Sequence, residues 1–210
     1  EARMTRLPRV NVMPPVGPLV QNEKVHDYEY VRVSASTSRS PLHFRNQLYR
    51  LDVHRLDDEL KRFKELAERS WPGFRLRDLN LAGEIGTETL VQYVQDGDFV
   101  LEVGLVGHGL QVWLQTMLFL SRMRTDDIVI LDEPDVYLHA DMQRKLIRLL
   151  RDRYRQVIVA THSTEIMAEV APDQLVAIER QNTSSTSAAT LEAAQQVMRS
   201  VNSLHSSLLA

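Results

Sequence analysis

The chain has 210 residues, of which 43% are hydrophobic and 25% charged, so it can bury a core as one large domain or two small ones. Its 25 basic and 28 acidic residues give a formal net charge of −3, which argues against a broadly basic nucleic-acid binder and against a polybasic membrane-surface protein, although a local binding strip remains possible. No cysteine is present, which excludes disulfides and thiolate zinc sites and fits a reducing cytoplasm, and no apolar stretch reaches the roughly 18 residues that a membrane span needs.

The first third of the chain predicts a strand, a loop and a long helical region. Residues 7–20 carry four prolines among valines, which predicts a short strand followed by a rigid loop. The polar run 34–40 predicts a flexible loop or a place where chain is missing. A helical region is predicted from Pro41 to about Arg69, with leucines on one face and charges on the other. We interpret the charged face as solvated, with DNA contact as the weaker alternative.

A hairpin and a buried helix are predicted next. Trp71-Pro72-Gly73 ends the helical region, and the strand-like runs 89–95 and 99–105 are joined by Asp96-Gly97-Asp98. Glycine supplies the positive φ that a tight turn demands, so this pattern predicts a β-hairpin. Residues 110–120 are apolar nearly all round, which predicts a buried helix.

The following seventy residues alternate β-branched runs with helical patterns. Strands are predicted at 128–131, 156–160 and 175–178, and helices at 140–153 and after Ser163. Such alternation is typical of a parallel sheet covered on both faces, so residues 107–180 predict an α/β core. A last helix is predicted over 188–209 and ends without a cap, so we expect both termini to be boundaries inside a longer protein.

Three features of this core indicate nucleotide chemistry. The strand at 128–131 ends in Asp132 and Glu133, at the sheet edge where open α/β folds bind ligands. The next strand is followed by His162, 29 residues after the glutamate. The glycine-rich stretch 104–111 leads into the buried helix, and a helix N-terminus attracts anions.

One phosphate-binding motif is missing from the sequence. A P-loop needs G-x-x-x-x-G-K-[ST], and none of the four lysines of this chain follows one of its eight glycines. The other three features therefore describe nucleotide chemistry from which the P-loop has been removed, and we expect the other half of the active site to lie before Glu1.

At these residues the chain resembles the ABC-type ATPase superfamily. The resemblance is to the branch of OLD-family nucleases and related AAA-type ATPases of bacterial defence systems, which are kin to RecF-like and chromosome-maintenance heads. It implies that 128–133 is the Walker B strand, in which Asp132 holds Mg²⁺, usually through water, and Glu133 polarises the attacking water. His162 matches the switch-loop histidine that reaches the γ-phosphate of ATP.

Two further segments take roles from the same resemblance. Gly107, His108, Gly109 and Gln111 resemble a degenerate signature motif, which contacts the γ-phosphate of ATP held by the partner subunit. Segment 135–139 stands where the family has its D-loop, and its Leu-His ending resembles this branch more than the transporters.

The resemblance implies an α/β fold, the parallel-sheet core of an ABC-type head with a helical subdomain and a β-hairpin. Residues 1–106 would form the helical and linker part with the hairpin, 107–180 the Walker B and switch-histidine core, and 181–210 a helix leading to a following domain. The expected cofactors are ATP and Mg²⁺. The expected protein is a cytoplasmic homodimer or higher oligomer, joined through its heads, that regulates a DNA-directed effector such as a TOPRIM nuclease domain or a separate subunit.

Alternative functions stay open. The same fold could serve as a non-hydrolysing scaffold, or as the head of a RecF-like or chromosome-maintenance repair protein, although no sustained heptads are visible. Asp135 and His139 could join Asp132 as metal ligands, but a D-loop packing role is favoured. A hydrolytic triad of Asp132, His162 and Ser163 is disfavoured because Ser163 lacks a G-x-S-x-G elbow and fits a helix N-cap.

If the ATP site needs a P-loop lobe, the isolated 210 residues should not hydrolyse ATP appreciably. Phosphate release from ATP with Mg²⁺ checks this. Turnover at the level of an intact ATPase would contradict it.

Overall fold

The computed structural model describes residues 7–54, 56–84, 86–179, 184–188 and 190–207. It has the α/β fold that the alternating pattern predicts. The chain forms two compact units, the first made of the described residues up to Asp132 together with Tyr154–Ile158, and the second of Glu133–Arg153 and the described residues from Val159 onward.

The described elements are nine strands and seven α-helices. The strands are β1 (Val10–Val12), β2 (Glu23–Lys24), β3 (Phe74–Ala82), β4 (Thr89–Asp96), β5 (Phe99–Glu102), β6 (Ile128–Asp132), β7 (Gln156–Ala160), β8 (Val176–Glu179) and β9 (Ser184–Ser187). The helices are α1 (Tyr28–Ser34), α2 (Phe44–Val53), α3 (Asp57–Ser70), α4 (His108–Ser121), α5 (Ala140–Arg153), α6 (Thr164–Met167) and α7 (Leu191–Ser207), with 3-10 turns at Ser40–His43, Val103–Leu105 and Pro172–Gln174.

The sheet that carries the two acids has the strand order β1-β6-β7. Strands β1 and β6 are parallel, and Asp127 holds their starts together by accepting hydrogen bonds from the Arg9 backbone and guanidinium. The bonds from Arg9 hold the pKa of this carboxyl well below its usual range.

In the central strand, β6, Val129 and Leu131 are fully buried, whereas Ile158 on β7 is 49% exposed. The prediction that both faces of the parallel sheet are covered is therefore wrong for β7, which is an edge strand of this sheet.

The predicted helical region 41–69 is interrupted. The structure has a 3-10 turn, then α2, and after a break near His54 the separate helix α3. Three acids, Asp57, Asp58 and Glu59, form the first turn of α3, where they stabilise the positive end of a helix dipole. They mark a new helix start that the continuous leucine spacing hides.

The hairpin prediction is confirmed by the antiparallel pair β4 and β5, with Gly97 at a φ of 60° in its turn. Strand β5 ends earlier than predicted because the Glu102 carboxylate accepts a hydrogen bond from the Gly104 amide and starts a 3-10 turn.

The strand predicted at 175–178 forms as β8. In the part of the chain that the structure describes, it pairs antiparallel with β9 and not with the parallel sheet, so its predicted place in that sheet is wrong.

The buried helix prediction is confirmed by α4. Most of its side chains are buried, and Trp113 is fully buried with its indole nitrogen donating to the Ser70 hydroxyl at 2.8 Å. Helix α3 packs against α4 and supplies Phe63, which is also fully buried.

Within the described ranges, no helix combines the length and apolarity needed to cross a bilayer.

The first unit contains a buried ion cluster of Arg45, Glu23 and Glu102. The fully buried Arg45 guanidinium makes a two-bond contact with Glu102, at 2.7 and 2.8 Å, and lies 3.4 Å from Glu23. Glu23 also accepts hydrogen bonds from the backbone amides of Arg45 and Asn46. Burial raises the pKa of Glu23, and these donors act in the opposite direction. Nearly every polar atom of the cluster is thus satisfied without water.

Gly104 lies against this cluster, and we predict that Gly104→Ala lowers the free energy of unfolding by about 1–3 kcal/mol. A Cβ on Gly104 would come within 2.7 Å of Arg45 Nη2 and 3.0 Å of Glu102 Oε2. The matched control is Gly17→Ala, whose added Cβ meets nothing within 4 Å. Urea unfolding of both variants measures the difference, and equal stabilities would show that the cluster accommodates a methyl group at no cost.

Candidate nucleotide site

The two adjacent acids mark the end of β6. Asp132 is the last residue of the strand and is exposed. Glu133 follows with a φ of 48°, in the left-handed region that a non-glycine residue rarely adopts, and its amide donates to the Ala160 carbonyl at 2.9 Å. Such strain persists where the surroundings enforce it.

His162 reaches Glu133 from the end of β7. Its Nε2 lies 3.2 Å from Glu133 Oε1, and the two side chains are 68% and 40% exposed. The structure therefore brings together two predicted site residues that are 29 positions apart in the sequence. Because His162 is exposed and Glu133 is partly exposed, a ligand could reach the pair without displacing packed core.

The residues around this pair are tied by hydrogen bonds. Thr161 donates its hydroxyl to Asp135 at 2.5 Å, and Ser163 donates to the Gln143 side-chain oxygen at 2.5 Å. Sequence reasoning assigned roles to Asp135 and Ser163 but missed Thr161 and Gln143. The signal that could have found Thr161 is its position directly before the histidine.

The triad and metal alternatives lose support from the same contacts. Ser163 caps α6 by accepting from the Ile166 amide, as the sequence predicts, and its hydroxyl donates to Gln143. His139 is 82% exposed and contacts Asp141 at 3.9 Å. Among the residues that the structure describes, no three His, Cys, Asp or Glu side chains converge as a metal-binding group.

The carboxylates at this site suit a magnesium ion bound together with a nucleotide better than a metal ion held by protein side chains alone. Mg²⁺ commonly takes one or two carboxylates and completes its shell with phosphate and water oxygens. Asp132 offers one exposed carboxylate of that kind.

The signature-like residues lie at the start of α4. Gly107 is the N-cap, and its carbonyl accepts from the amides of Leu110 and Gln111. His108 is the first residue of the helix, and Gly109 follows it there. A Cβ on Gly107 would meet nothing within 4 Å, and the N-cap residue, a glycine, has no side chain of its own to occupy this helix end. The positive end of the helix dipole is therefore accessible to an anion.

Gln111 has a different environment. It is 1% exposed. Its side-chain oxygen accepts a hydrogen bond from the Leu19 backbone amide at 2.8 Å. Its side-chain nitrogen donates to the Val106 and Gly104 carbonyls at 2.8 and 3.1 Å. With its oxygen and nitrogen both bonded inside the protein, it holds the loop before α4 in place.

Residues 20–168 match the family described as "AAA domain, putative AbiEii toxin, Type IV TA system". The match covers more than half of the sequence, so the chain belongs to this family of AAA-type ATPase domains. The matched range includes Gly107, Asp132, Glu133 and His162. No curated protein matches the chain.

The fold is similar to solved heads of SMC ATPases. One structure, from work on ATP-driven dimerization and DNA-stimulated activation of SMC ATPases, gives a TM-score of 0.58 at 16% identity, over 73% of this chain and 96% of that one. The Smc head domain with a coiled coil and joint from Pyrococcus yayanosii gives 0.54 at 20% identity, over 71% of this chain but only 30% of that one. The similarity establishes the ABC-type head fold.

The φ of Glu133 predicts an unusual stability order. Glu133→Gly and Glu133→Ala both remove the carboxylate, but glycine adopts a φ of 48° freely, so we expect the glycine variant to be more stable by about 1 kcal/mol. At Glu65, an exposed residue in the interior of α3, the order should reverse, because glycine disfavours a helix interior by about 1 kcal/mol. Urea unfolding of the four variants tests this, and a less stable Glu133→Gly than Glu133→Ala would contradict the strained conformation.

Proposed function

We propose that this chain is the Walker B and signature part of a head that hydrolyses ATP. The observation that carries the proposal is the contact of 3.2 Å between Glu133, which is partly exposed, and His162, which is exposed. The two residues follow different strands. A scaffold that never turns over nucleotide needs neither side chain, whereas phosphoryl transfer to water uses an acid–base group and a hydrogen-bond donor at this spacing.

In this proposal each residue meets one requirement of the reaction. Glu133 accepts the proton of the attacking water and positions that water. His162 donates a hydrogen bond to the phosphoryl group and stabilises the charge that develops there. Asp132 would hold Mg²⁺, which supplies charge neutralisation on the phosphates.

The start of α4 would serve the ATP of a second head. The accessible end of the helix at Gly107, His108 and Gly109 presents backbone N–H groups to a phosphate, and Gln111 positions this loop without touching the ligand. Two copies would then share each nucleotide, which makes a head-to-head homodimer the working assembly. ATP-driven dimerization is named for SMC ATPases of the same fold, which supports this arrangement.

We further propose that the head controls a DNA-directed effector, as in the OLD-like branch of defence ATPases. The family description, which names a toxin of a toxin–antitoxin system, supports a role in bacterial defence. The DNA-stimulated activation named for SMC ATPases favours the second candidate, a head in DNA repair or chromosome maintenance.

The test is Glu133→Gln in the full-length native protein that contains these residues. We expect ATP binding to be retained and turnover to fall by at least about 100-fold, because the amide cannot accept the proton. Glu84→Gln, the same change on an exposed turn between β3 and β4, is the matched control and should hydrolyse ATP normally.

Near-normal hydrolysis by the Glu133→Gln variant would refute the assignment. Binding of ATP without turnover in the unaltered protein would instead establish the scaffold. Addition of double-stranded DNA to the assay separates the DNA-coupled functions from a DNA-independent ATPase.

A further inference from the structure

Two loops of the second unit meet beside the proposed catalytic pair. The D-loop segment (residues 135–139) follows β6, and the switch loop (residues 161–163) follows β7. They are joined by two separate hydrogen-bonded bridges, which we name together the loop clamp. Its side chains are Asp135, Thr161, Gln143 and Ser163.

The first bridge runs from Asp135 to Thr161. The Thr161 hydroxyl donates to Asp135 Oδ1 at 2.5 Å and accepts from the Ser163 backbone amide at 2.9 Å. A single hydroxyl therefore fixes the D-loop on one side and the turn of the switch loop on the other. The carboxylate acceptor makes this a charge-assisted bond, which is stronger than a bond between neutral groups.

The second bridge passes through Gln143 on α5. Its side-chain oxygen accepts from the Ser163 hydroxyl at 2.5 Å, and its side-chain nitrogen donates to the Leu138 carbonyl at 2.8 Å. The same Ser163 hydroxyl accepts from the Ile166 amide at 3.3 Å, so this chain of bonds also reaches the first turn of α6. It connects the far end of the D-loop to the residue after His162.

We propose that the loop clamp positions His162 and makes its placement depend on the D-loop. Residues 161 and 163, on either side of the histidine, are each bonded to the D-loop segment or to the residue that holds it. The imidazole itself is 68% exposed, so its position is set by the backbone that carries it more than by packing around the ring. A movement of the D-loop is thereby passed to the group that contacts Glu133. Asp135, Thr161 and Gln143 are positioning residues, and this role rests on the proposed ATPase function.

The first test compares Thr161→Val with Thr161→Ser in the full-length protein. Valine keeps the shape but removes the hydroxyl, and we expect it to lower kcat for ATP hydrolysis about tenfold with the KM for ATP unchanged, because a misplaced group slows the reaction without weakening binding. Serine keeps the hydroxyl and should restore the rate. Asp135→Ala should also lower kcat, but less than Thr161→Val, because the Thr161 hydroxyl can still accept from the Ser163 amide. The double variant should be no slower than Thr161→Val, because the bond to Asp135 is already lost there.

The second test repeats Thr161→Val in a His162→Ala background. If Thr161 acts by positioning His162, its loss costs nothing further once the histidine is gone. An equal further loss of rate in that background would overturn the positioning role.

The third test measures the clamp without relying on ATP hydrolysis. Hydrogen exchange of backbone amides should speed up about tenfold in Thr161→Val, relative to Thr161→Ser, both at Ser163 and in the D-loop segment. Faster exchange confined to the switch loop would refute the coupling between the loops. An unaltered protein that hydrolyses no ATP would refute the proposed function, and these exchange rates would still decide the coupling.

Discussion

The buried guanidinium of Arg45 is the constraint around which the first unit is arranged. It needs acceptors because a buried charge without partners is very costly, and two separate segments supply them: Val20 and Glu23 in one, and Glu102 in the other. The cluster thereby fixes β2, α2 and the end of β5 against one another. Buried ion pairs of this kind contribute little net stability compared with apolar packing, so their main effect is to exclude other arrangements.

The ion cluster also affects the loop that leads into α4. Glu102 binds Arg45 and the Gly104 amide together, so the chain leaves β5 in a direction set by the ion cluster. Gln111 then holds the same loop from the other side, because its side-chain nitrogen donates to the Gly104 and Val106 carbonyls. Its side-chain oxygen accepts from the Leu19 amide. The loop that these bonds hold leaves Gly107 and His108 exposed at the start of α4.

The Glu133–His162 pair depends on a different kind of constraint. Glu133 is held in a strained backbone conformation, and His162 is carried by a short loop tied to the D-loop. Neither side chain is fixed by burial, so the accurate placement of both depends on hydrogen bonds of the backbone and of neighbouring side chains. The SMC heads share the fold at 16–20% identity, and the AAA family match defines the class, but the chemistry proposed for this chain rests on these few contacts.

The sequence by itself determined the elements whose signals are local. The all-apolar α4, the turn at Gly97, the bounds of α5 and β7, and the Ser163 cap follow from periodicity, glycine and capping chemistry within a few residues. It also placed Asp132, Glu133 and His162 at strand ends. Only the tertiary structure decided that Arg45 is buried, that β8 pairs with β9, and that Thr161 and Gln143 hold the switch loop. These outcomes depend on partners distant in sequence, and residue types at one position do not specify which distant group they will meet.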